Sequence, residues 1–547
     1  MNSFPWLTVL LIVPAAAAVV VLAVPRRFAT VAKQITLAVT LVEFGLALLA
    51  TIAYEPSRAG FQFAQKYSWI RQFGVSYSVG ADGISLVLIL LATLLVPVVV
   101  LASWDEVAGP AQAGSAGAGV GVGADAGGAG VVSRRSVSGF FALLLALEAG
   151  MIGVFAATDV FLFYVFFEAM LIPMYFLIGS YGAVKEQAQR SYAAVKFLLY
   201  SLFGGLLMLA AVIGLYVVSA DQLGTGTFDF ATLRQLDITP GVQKLLFLGF
   251  FIAFAIKAPL FPFHTWLPDA GAQSPTGGAI LLVGVLDKVG TFGLIRYCIP
   301  LFPAASSYFA PMVLALAVIG IFYGALLAIG QRDMKRLVAY TSLAHFGFIA
   351  MGTFALTSQG GTGAVLYMVN HGLSTGLLFL VVGFLVARRG SRDVSAYGGM
   401  AKVTPVLAGV FLIAGLSSLA LPGLNSFVSE FLVLVGTFTR YRALAIVATG
   451  GIVLAAIYIL YLYQRTMTGP LVHEQAKGVL DLSVREKIVV APVVALIIAL
   501  GVYPKPLIDI IRPTVTATFE DAGHTDPGST VPVNAAPVNA SQAGGHS

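Results

Sequence analysis

The sequence predicts an all-α membrane protein that crosses the bilayer about fourteen times. Of its 547 residues, 58% are hydrophobic and only 10% are charged, and the mean hydropathy is +0.92. Water-soluble domains carry roughly 25% charged residues. The apolar runs are about 20 residues long, as a helix needs to cross ~30 Å of hydrocarbon. None of the runs alternates in polarity as the strands of a membrane β-barrel do.

Counting the apolar runs gives fourteen spans. They lie near residues 4–24, 31–53, 83–104, 137–156, 158–179, 192–217, 242–262, 276–298, 308–329, 337–355, 361–387, 403–439, 444–464 and 488–508. Pro259 and Pro262 interrupt the seventh, and Pro422 with Gly423 interrupts the twelfth, so helices 7 and 12 are predicted to be discontinuous.

Lys and Arg in the connecting segments predict the orientation of the chain. If the N-terminus is outside, the cytoplasmic loops contain 18 of these residues and the external segments contain 9. Cytoplasmic loops carry the excess of Lys and Arg, so both termini are predicted to be outside. The basic pair Arg26-Arg27 follows the first apolar run instead of preceding it, which indicates an uncleaved span and not a signal peptide.

The composition also excludes several classes of function. The sequence pI is about 9.2, but the basic residues lie in short loops between spans, so the charge does not indicate a nucleic-acid partner. Cys298 is the single cysteine, which excludes an intrachain disulfide and cysteine-ligated iron–sulfur or zinc sites. No Gly-rich phosphate loop is present, so the energy must come from an ion gradient or a partner.

Ionisable side chains within the spans are the candidate functional residues. Each costs about 2.5–3.5 kcal/mol or more at the bilayer centre unless it is paired or functional. The seven candidates are Glu168, Lys257, His264, Lys288, His345, His371 and Glu430. A lone buried Glu or Lys can equally be half of a structural ion pair, and Asp287 could simply neutralise Lys288. As a set on separate helices, however, carboxylates, lysines and imidazoles predict a proton path.

The proline breaks favour transport over a scaffold role. Two prolines follow Lys257, and Pro422-Gly423 precedes Glu430 by eight residues. Irregular backbone at membrane depth persists only where protein or a water-filled cavity satisfies its polar groups. Paired discontinuous helices are typical of inverted-repeat transporters that bind near the membrane centre.

Six motifs carry a resemblance to a known family. They are FFEAMLIPMYFLIGSYG, FIAFAIKAPLFPFHTWLPDA, GVLDKVGTFGLIRY, QRDMKRLVAYTSLAHFGF, NHGLSTGLLFL and LPGLNSFVSEFLVL. In this order, from about residue 80 to 505, the chain resembles the chain M family of antiporter-like membrane subunits of proton-pumping NADH:quinone oxidoreductase, respiratory complex I. The mitochondrial counterpart is subunit 4.

The resemblance implies roles for the lysines and carboxylates. Glu168 pairs with Lys257 in the family pattern, and Lys288 lies near the central relay. Glu430 lies toward the next subunit or the proton exit. Protons are moved by NADH-to-quinone electron transfer that takes place in partner subunits.

The resemblance also implies a place for the histidines, and the sequence departs from the family pattern at one position. His264, His345 and His371 match histidines of the central hydrophilic axis. Family members often have His where Gly271 follows LPDA, so any role of that His is absent or moved.

The implied organisation is a bacterial inner-membrane subunit with two inverted five-helix repeats. The predicted divisions are 1–106 (helices 1–3), 107–136 (a Gly/Ala-rich cytoplasmic loop), 137–298 (first repeat, helices 4–8), 299–464 (second repeat, helices 9–13), 465–520 (loop and helix 14) and 521–547 (a disordered tail). No cofactor or metal is expected in this chain, since NADH, flavin, iron–sulfur clusters and quinone belong to partner subunits. The expected partners are other membrane-arm subunits, especially the sibling antiporter-like subunits on either side, together with the lipid bilayer.

Three alternatives remain open at this stage. The first is a subunit of a multi-subunit sodium/proton antiporter, whose large chains share these motifs. The second is a haem-carrying electron-transfer subunit, because His345 and His371 lie on adjacent spans. The third is a sibling chain, L or N, of the same complex; chain L would carry a long lateral helix at its C-terminus, and none is predicted after residue 508.

Overall fold

The computed structural model describes residues 4–58, 60–106, 136–183, 186–471 and 478–528. Of the predicted loop 107–136 only Ser136 is among them, and of the predicted tail 521–547 only residues 521–528. The predictions for the rest of that loop and tail therefore lie outside the described residues.

The described part of the chain is a bundle of nineteen α-helices with one β-hairpin. The helices are α1 (Trp6–Ala23), α2 (Ala29–Ala53), α3 (Gly83–Ala102), α4 (Val137–Ala156), α5 (Val160–Ala169), α6 (Leu171–Tyr181), α7 (Gln187–Leu223), α8 (Phe230–Leu233), α9 (Pro240–Lys257), α10 (Trp266–Gln273), α11 (Thr276–Leu301), α12 (Pro303–Ile329), α13 (Met334–Phe354), α14 (Ser358–Arg389), α15 (Pro405–Ser418), α16 (Asn425–Arg440), α17 (Arg442–Met467), α18 (Val484–Val502) and α19 (Lys505–Asp521). Within α11, five-residue π-helical turns occupy Leu282–Leu286 and Leu294–Cys298. The antiparallel strands β1 (Gln62–Ile70) and β2 (Val75–Ala81) form the hairpin.

The fold class predicted from the sequence is confirmed. Spans one to eleven and span thirteen correspond to 12 helical segments in the described structure. Each of these segments is long enough and apolar enough to cross a membrane. The predicted span twelve consists of α15 and α16, and span fourteen is α18. The predicted breaks are present: α9 ends at Lys257 before the prolines, and α15 ends at Ser418 before Pro422.

Two elements were not predicted. The hairpin between spans two and three is polar and alternating, so a search for long apolar runs passes over it. Helix α19 follows α18 after a bend of 70°. The predicted spans stop at residue 508 and do not include α19, because the helix that follows Pro504 is amphipathic and not continuously apolar.

Aspartates at the loop–span boundaries explain where several helices begin. Asp82 accepts hydrogen bonds from the backbone N–H groups of Ile84 and Ser85 at the start of α3. Asp159 and Asp333 cap α5 and α13 in the same way. Such caps satisfy backbone donors that have no partner within the helix.

One end of the bundle, here called the hairpin end, carries the hairpin and α19. Lys66 of β1 forms an ion pair with Asp229 at 2.6 Å, and Arg234 pairs with Asp521 at 2.6 Å. The hydroxyl of Thr8 near the N-terminus bonds to Gln65 at 2.5 Å. The first and last described segments of the chain therefore lie at the same end, as an even number of crossings requires.

The other end of the bundle, here called the opposite end, is joined by a separate set of ion pairs. Arg392 pairs with Glu186 at 2.7 Å and with Asp333 at 3.1 Å, which links the loop after α6 to the loops around α13 and α14. Arg388 pairs with Glu486 at 2.6 Å. Segments predicted to share one side of the membrane thus contact one another.

A buried ion pair joins α3 to α11 at the hairpin end. Asp82 is 5% exposed and Arg296 is 6% exposed, and the guanidinium donates to the Asp82 carboxylate. The Arg296 side chain also lies 5.0 Å from the centre of the Phe61 ring. Because both charges are removed from water, each depends on the other for compensation.

We predict that Arg296→Leu lowers the stability of the protein by about 3–5 kcal/mol, because it leaves the buried Asp82 carboxylate unpaired. The double variant Asp82→Asn with Arg296→Leu should recover much of this loss, since Asn still caps α3. Thermal unfolding of the purified protein in detergent measures both. Lys505→Ala, which removes an exposed ion pair, is the control and should change nothing measurable. Equal losses in the single and double variants would contradict the pairing argument.

Candidate functional site

Glu168 occupies the last turn of α5, where the helical span is interrupted at Met170. Pro173 has no N–H for the Ala169 carbonyl, which explains why α5 ends there and α6 begins two residues later. The Oε1 atom of Glu168 is buried without a hydrogen-bond partner. Gly205 of α7 lies directly against it, and a Cβ atom there would collide with Oε1. The glycine therefore leaves the space that the carboxylate occupies.

Lys257 is the last residue of α9 and is only 1% exposed. Its Nζ atom has no hydrogen-bond acceptor. It lies 4.7 Å from the ring centre of Phe167 and 5.9 Å from that of Phe197, so aromatic faces contribute to its electrostatic support. A buried ammonium with such weak compensation is poorly held and can readily change its protonation state.

Two hydrogen bonds form across the backbone break after Lys257. Pro259 cannot donate to the Ala255 carbonyl, and Leu260 N–H takes its place at 2.8 Å. The indole N–H of Trp266 then donates to the Ile256 carbonyl at 2.9 Å. These two bonds satisfy the carbonyls of Ala255 and Ile256 at the break, as irregular backbone inside a membrane requires.

Glu168 and Lys257 lie near each other without direct contact. Phe167, the residue before Glu168, lies against the Lys257 ammonium, and the two charges interact electrostatically. No oxygen of Glu168 comes within hydrogen-bonding distance of Lys257 in the described structure. The pair is therefore separated by a short gap that a small movement of either side chain would change.

Lys288 and His371 form the central contact of the site. The Nζ atom of Lys288 lies 2.6 Å from Nδ1 of His371, and it also donates to the Val283 carbonyl. Val283 belongs to the first π-helical turn of α11, whose wider backbone spacing directs this carbonyl to the lysine. The other ring nitrogen of His371 lies 3.0 Å from the Ser342 hydroxyl. This contact joins α11 to α13 and α14.

From His371 the chain of polar groups continues to Glu430. The rings of His371 and His345 have centres 5.3 Å apart. The Nδ1 atom of His345 lies 2.7 Å from the hydroxyl of Tyr367, which donates to Oε2 of Glu430 at 3.3 Å. The structure therefore brings four of the predicted residues and one tyrosine into a buried line, which is joined by hydrogen bonds except between the two histidines, whose rings pack together.

The break in span twelve keeps this line in place. Asn370 of α14 donates to the Asn425 carbonyl at 2.7 Å, and Asn425 donates back to the Asn370 carbonyl at 3.2 Å. Ser417 donates to the side-chain oxygen of Asn425 at 2.5 Å. These bonds hold the ends of α15 and α16 against α14, which places Ser418 and Glu430 on either side of the histidine–tyrosine contact.

His264 lies apart from this line, in the connection between α9 and α10. Its ring packs against Phe261 and Tyr323, with centres 6.0 Å and 5.2 Å away, and its Nδ1 atom has no partner. No hydrogen bond joins it to the other six predicted residues in the described structure. It faces instead the region of Lys196, which pairs with Asp269 at 2.8 Å.

The sequence interpretation missed Tyr367 and underestimated Asp287. Tyr367 precedes His371 by four residues on α14, so the two side chains share a helix face, and this spacing could have identified it. Asp287 is 0% exposed and neither carboxylate oxygen has a hydrogen-bond partner. It therefore does not form the close ion pair with Lys288 that simple neutralisation would require.

Two further buried carboxylates lie off the axis. Glu43 of α2 and Glu148 of α4 are both 0% exposed, and none of their oxygens has a hydrogen-bond partner. They interact electrostatically with each other. No hydrogen bond connects them to the line from Lys288 to Glu430 in the described structure.

The histidine geometry does not fit the haem alternative. Both ring nitrogens of His345 are engaged, by Tyr367 and by Ser418 at 3.2 Å, and those of His371 are engaged by Lys288 and Ser342. Ring centres 5.3 Å apart also leave no room for a porphyrin between them. Among the described residues, no group of three or more His, Cys, Asp or Glu side chains converges on a metal site.

Residues 157–456, which include all seven predicted site residues, match the family described as NADH:quinone oxidoreductase/Mrp antiporter, TM. This match covers more than half of the sequence. The chain belongs to this family. It is 50% identical over 535 residues to NADH-quinone oxidoreductase subunit M of Mycobacterium tuberculosis, with 96% of each chain covered. It is 39% identical to subunit M of Rhodobacter capsulatus, with 93% of this chain and 95% of the relative covered.

Solved structures of family members agree with these relatives. A chain of respiratory complex I from Thermus thermophilus with bound NADH superposes with a TM-score of 0.81 at 31% identity, over 94% of this chain and 100% of that one. A chain of the Mrp complex from Dietzia sp. gives a TM-score of 0.79 at 19% identity, over 95% and 98%, which is a likeness of fold alone. The resemblance to the chain M family inferred from the motifs is therefore confirmed.

Proposed function

We propose that this chain moves protons across a bacterial membrane as subunit M of NADH:quinone oxidoreductase, respiratory complex I. The observation that carries the proposal is the buried line from Lys288 through His371, His345 and Tyr367 to Glu430. Each group in it can accept and release a proton, and each lies on a different part of the bundle from the next. The similarity to relatives named subunit M supports the proposal that NADH-to-quinone electron transfer drives the movement of protons.

The gap between Glu168 and Lys257 supports an electrostatic switch. While the carboxylate is close, it stabilises the protonated lysine against the loss of solvation. Moving or neutralising Glu168 removes that support and releases the proton toward Lys288 and the histidines. Moving one charge against the membrane potential costs about 2.3 kcal/mol per 100 mV, which a rearrangement of one buried ion pair can supply.

The assembly and orientation belong to the same proposal. The hairpin end faces outward, with both termini, and Glu430 lies toward a sibling antiporter-like subunit or the proton exit. Residues 137–298 and 299–464 act as the two repeats, since a discontinuous helix is the fourth span in each.

Flavin, iron–sulfur and quinone chemistry takes place in partner subunits. His264 contributes to proton movement near the backbone break after Lys257. The alternative function is that of a sodium/proton antiporter subunit. Its support is the likeness of fold to the chain of the Mrp complex, at 19% sequence identity.

Glu168→Gln distinguishes a proton switch from a structural ion pair. Because the carboxylate makes no hydrogen bond to Lys257, we expect the complex to assemble normally. NADH:quinone turnover and proton pumping should fall together by about tenfold or more, since a positioned proton-transfer group typically contributes a factor of 10²–10⁴. Native gels measure assembly, and turnover and ΔpH are measured in membrane vesicles.

The control for Glu168→Gln is Glu43→Gln. Glu43 is a buried carboxylate outside the line from Lys288 to Glu430, so its substitution should lower turnover and pumping only slightly. Lys257→Ala and Glu430→Gln should behave like Glu168→Gln. Normal turnover and pumping in Glu168→Gln would remove Glu168 from the proton path. Loss of assembled complex would instead assign the residue to folding.

Tyr367→Phe tests the connection between His345 and Glu430. The substitution removes only the hydroxyl group, so the packing is kept and the complex should assemble. We expect turnover and pumping to fall about tenfold, which corresponds to about 1.4 kcal/mol of activation free energy. The control is Tyr458→Phe, whose buried hydroxyl has no hydrogen-bond partner. Equal activity of the two variants would show that the tyrosine hydroxyl does not carry protons.

Reporter fusions test the orientation. A reporter inserted between residues 115 and 130 should be active on the cytoplasmic side, and one fused after residue 525 should be active on the external side. The expectation follows from the excess of Lys and Arg in the segments at the opposite end. The reverse pattern would invert the whole chain, because both described termini lie at the hairpin end.

A further inference from the structure

Asp287, like Glu43 and Glu148, is a buried carboxylate without a visible structural task, but it adjoins Lys288 of the candidate site. It is 0% exposed at the centre of α11, and both carboxylate oxygens lack hydrogen-bond partners. A buried carboxylate without hydrogen bonds is costly, so its presence at membrane depth requires an explanation.

The packing of α11 shows which way Asp287 faces. A Cβ atom at Gly290 would meet the backbone nitrogen of Ala258 and the carbonyl oxygen of Phe254, each at 2.5 Å. That face of α11 therefore lies directly on the last turn of α9. Residues three apart share a helix face, so Asp287 points toward the same turn, which ends at Lys257. The electrostatic interaction between Asp287 and Lys257 agrees with this placement.

Lys288 points elsewhere, although it is the next residue. Successive side chains on a helix are rotated by about 100°, and the ammonium of Lys288 contacts His371 of α14. Two adjacent residues thus face the two halves of the site: Asp287 faces the lysine of the first half, and Lys288 faces the histidine of the second.

We propose that Asp287 carries the proton from Lys257 to Lys288. The proposal rests on the proton-pumping function argued above and adds the step that joins its two halves. The Lys257 ammonium transfers a proton to the Asp287 carboxylate, which leaves a neutral amine and a carboxylic acid. The acid then transfers that proton to the neutral amine of Lys288, which restores the carboxylate and forms an ammonium beside His371.

Four observations favour a carrier over a structural counter-ion. Asp287 makes no close ion pair, although both lysines interact with it electrostatically. The Lys288 ammonium already has two partners, His371 and the Val283 carbonyl. No hydrogen bond joins Lys257 to Lys288 in the described structure, so another group must connect them. A π-helical turn, common at functional sites, immediately precedes Asp287.

The test compares Asp287→Asn, Asp287→Leu and Asp287→Glu in the whole complex. The neutral variants should assemble, since no hydrogen bond is lost, and NADH:quinone turnover and pumping should fall at least about tenfold. Asp287→Glu keeps the carboxyl group and should recover most of the activity. The infrared difference spectrum on adding NADH should contain a carboxylic-acid band that Asp287→Asn removes and Glu43→Gln, the matched control, retains.

The outcomes separate this proposal from the function on which it rests. If Glu168→Gln and Lys257→Ala lose activity while either neutral Asp287 variant assembles and pumps normally, the carrier role is overturned and the proton-pumping function stands. If Glu168→Gln and Lys257→Ala also pump normally, the function itself is overturned. Failure of both neutral variants to assemble would assign Asp287 to folding and overturn the carrier role as well. Recovery by Asp287→Glu with loss of the infrared band in Asp287→Asn would support it.

Discussion

Polar groups at membrane depth have no water to bind, so the protein itself must satisfy them, and the site depends on how it does so. At the broken backbone around Lys257, Leu260 and Trp266 donate hydrogen bonds to the carbonyls of Ala255 and Ile256. The break in span twelve is closed by the reciprocal bonds of Asn370 and Asn425. Backbone groups at both breaks therefore have partners, whereas buried charged atoms of Glu168, Lys257 and Asp287 do not.

The site has two regions of different character. Around Glu168 and Lys257 the charges are close but make no hydrogen bonds, and glycine and aromatic side chains surround them. From Lys288 to Glu430 the groups contact one another through side chains of α11, α13, α14 and α16. The first region suits a switch, whose electrostatic energy changes with a small displacement. The second suits conduction, because its groups form a line that is hydrogen-bonded except between the packed rings of His371 and His345.

The junction between these regions lies in α11. Its π-helical turn directs the Val283 carbonyl to Lys288, and its glycine face lies on the end of α9. Adjacent residues of one helix thereby reach two different partners. A regular helix packed against only one neighbour would not provide this connection.

The sequence alone predicted the fold class, the spans and the candidate site residues, because the bilayer imposes a strict rule on composition: about 20 apolar residues per crossing, with charges present only where they are used or paired. The prolines likewise predicted both discontinuous helices. The hairpin and α19 were missed because they lie outside the apolar runs, where no such rule applies. Only the tertiary structure showed that Tyr367 connects His345 to Glu430, that His264 stands apart, and that Asp287 faces Lys257. These facts depend on the rotation and packing of helices far apart in the sequence, which the hydropathy of each span does not specify.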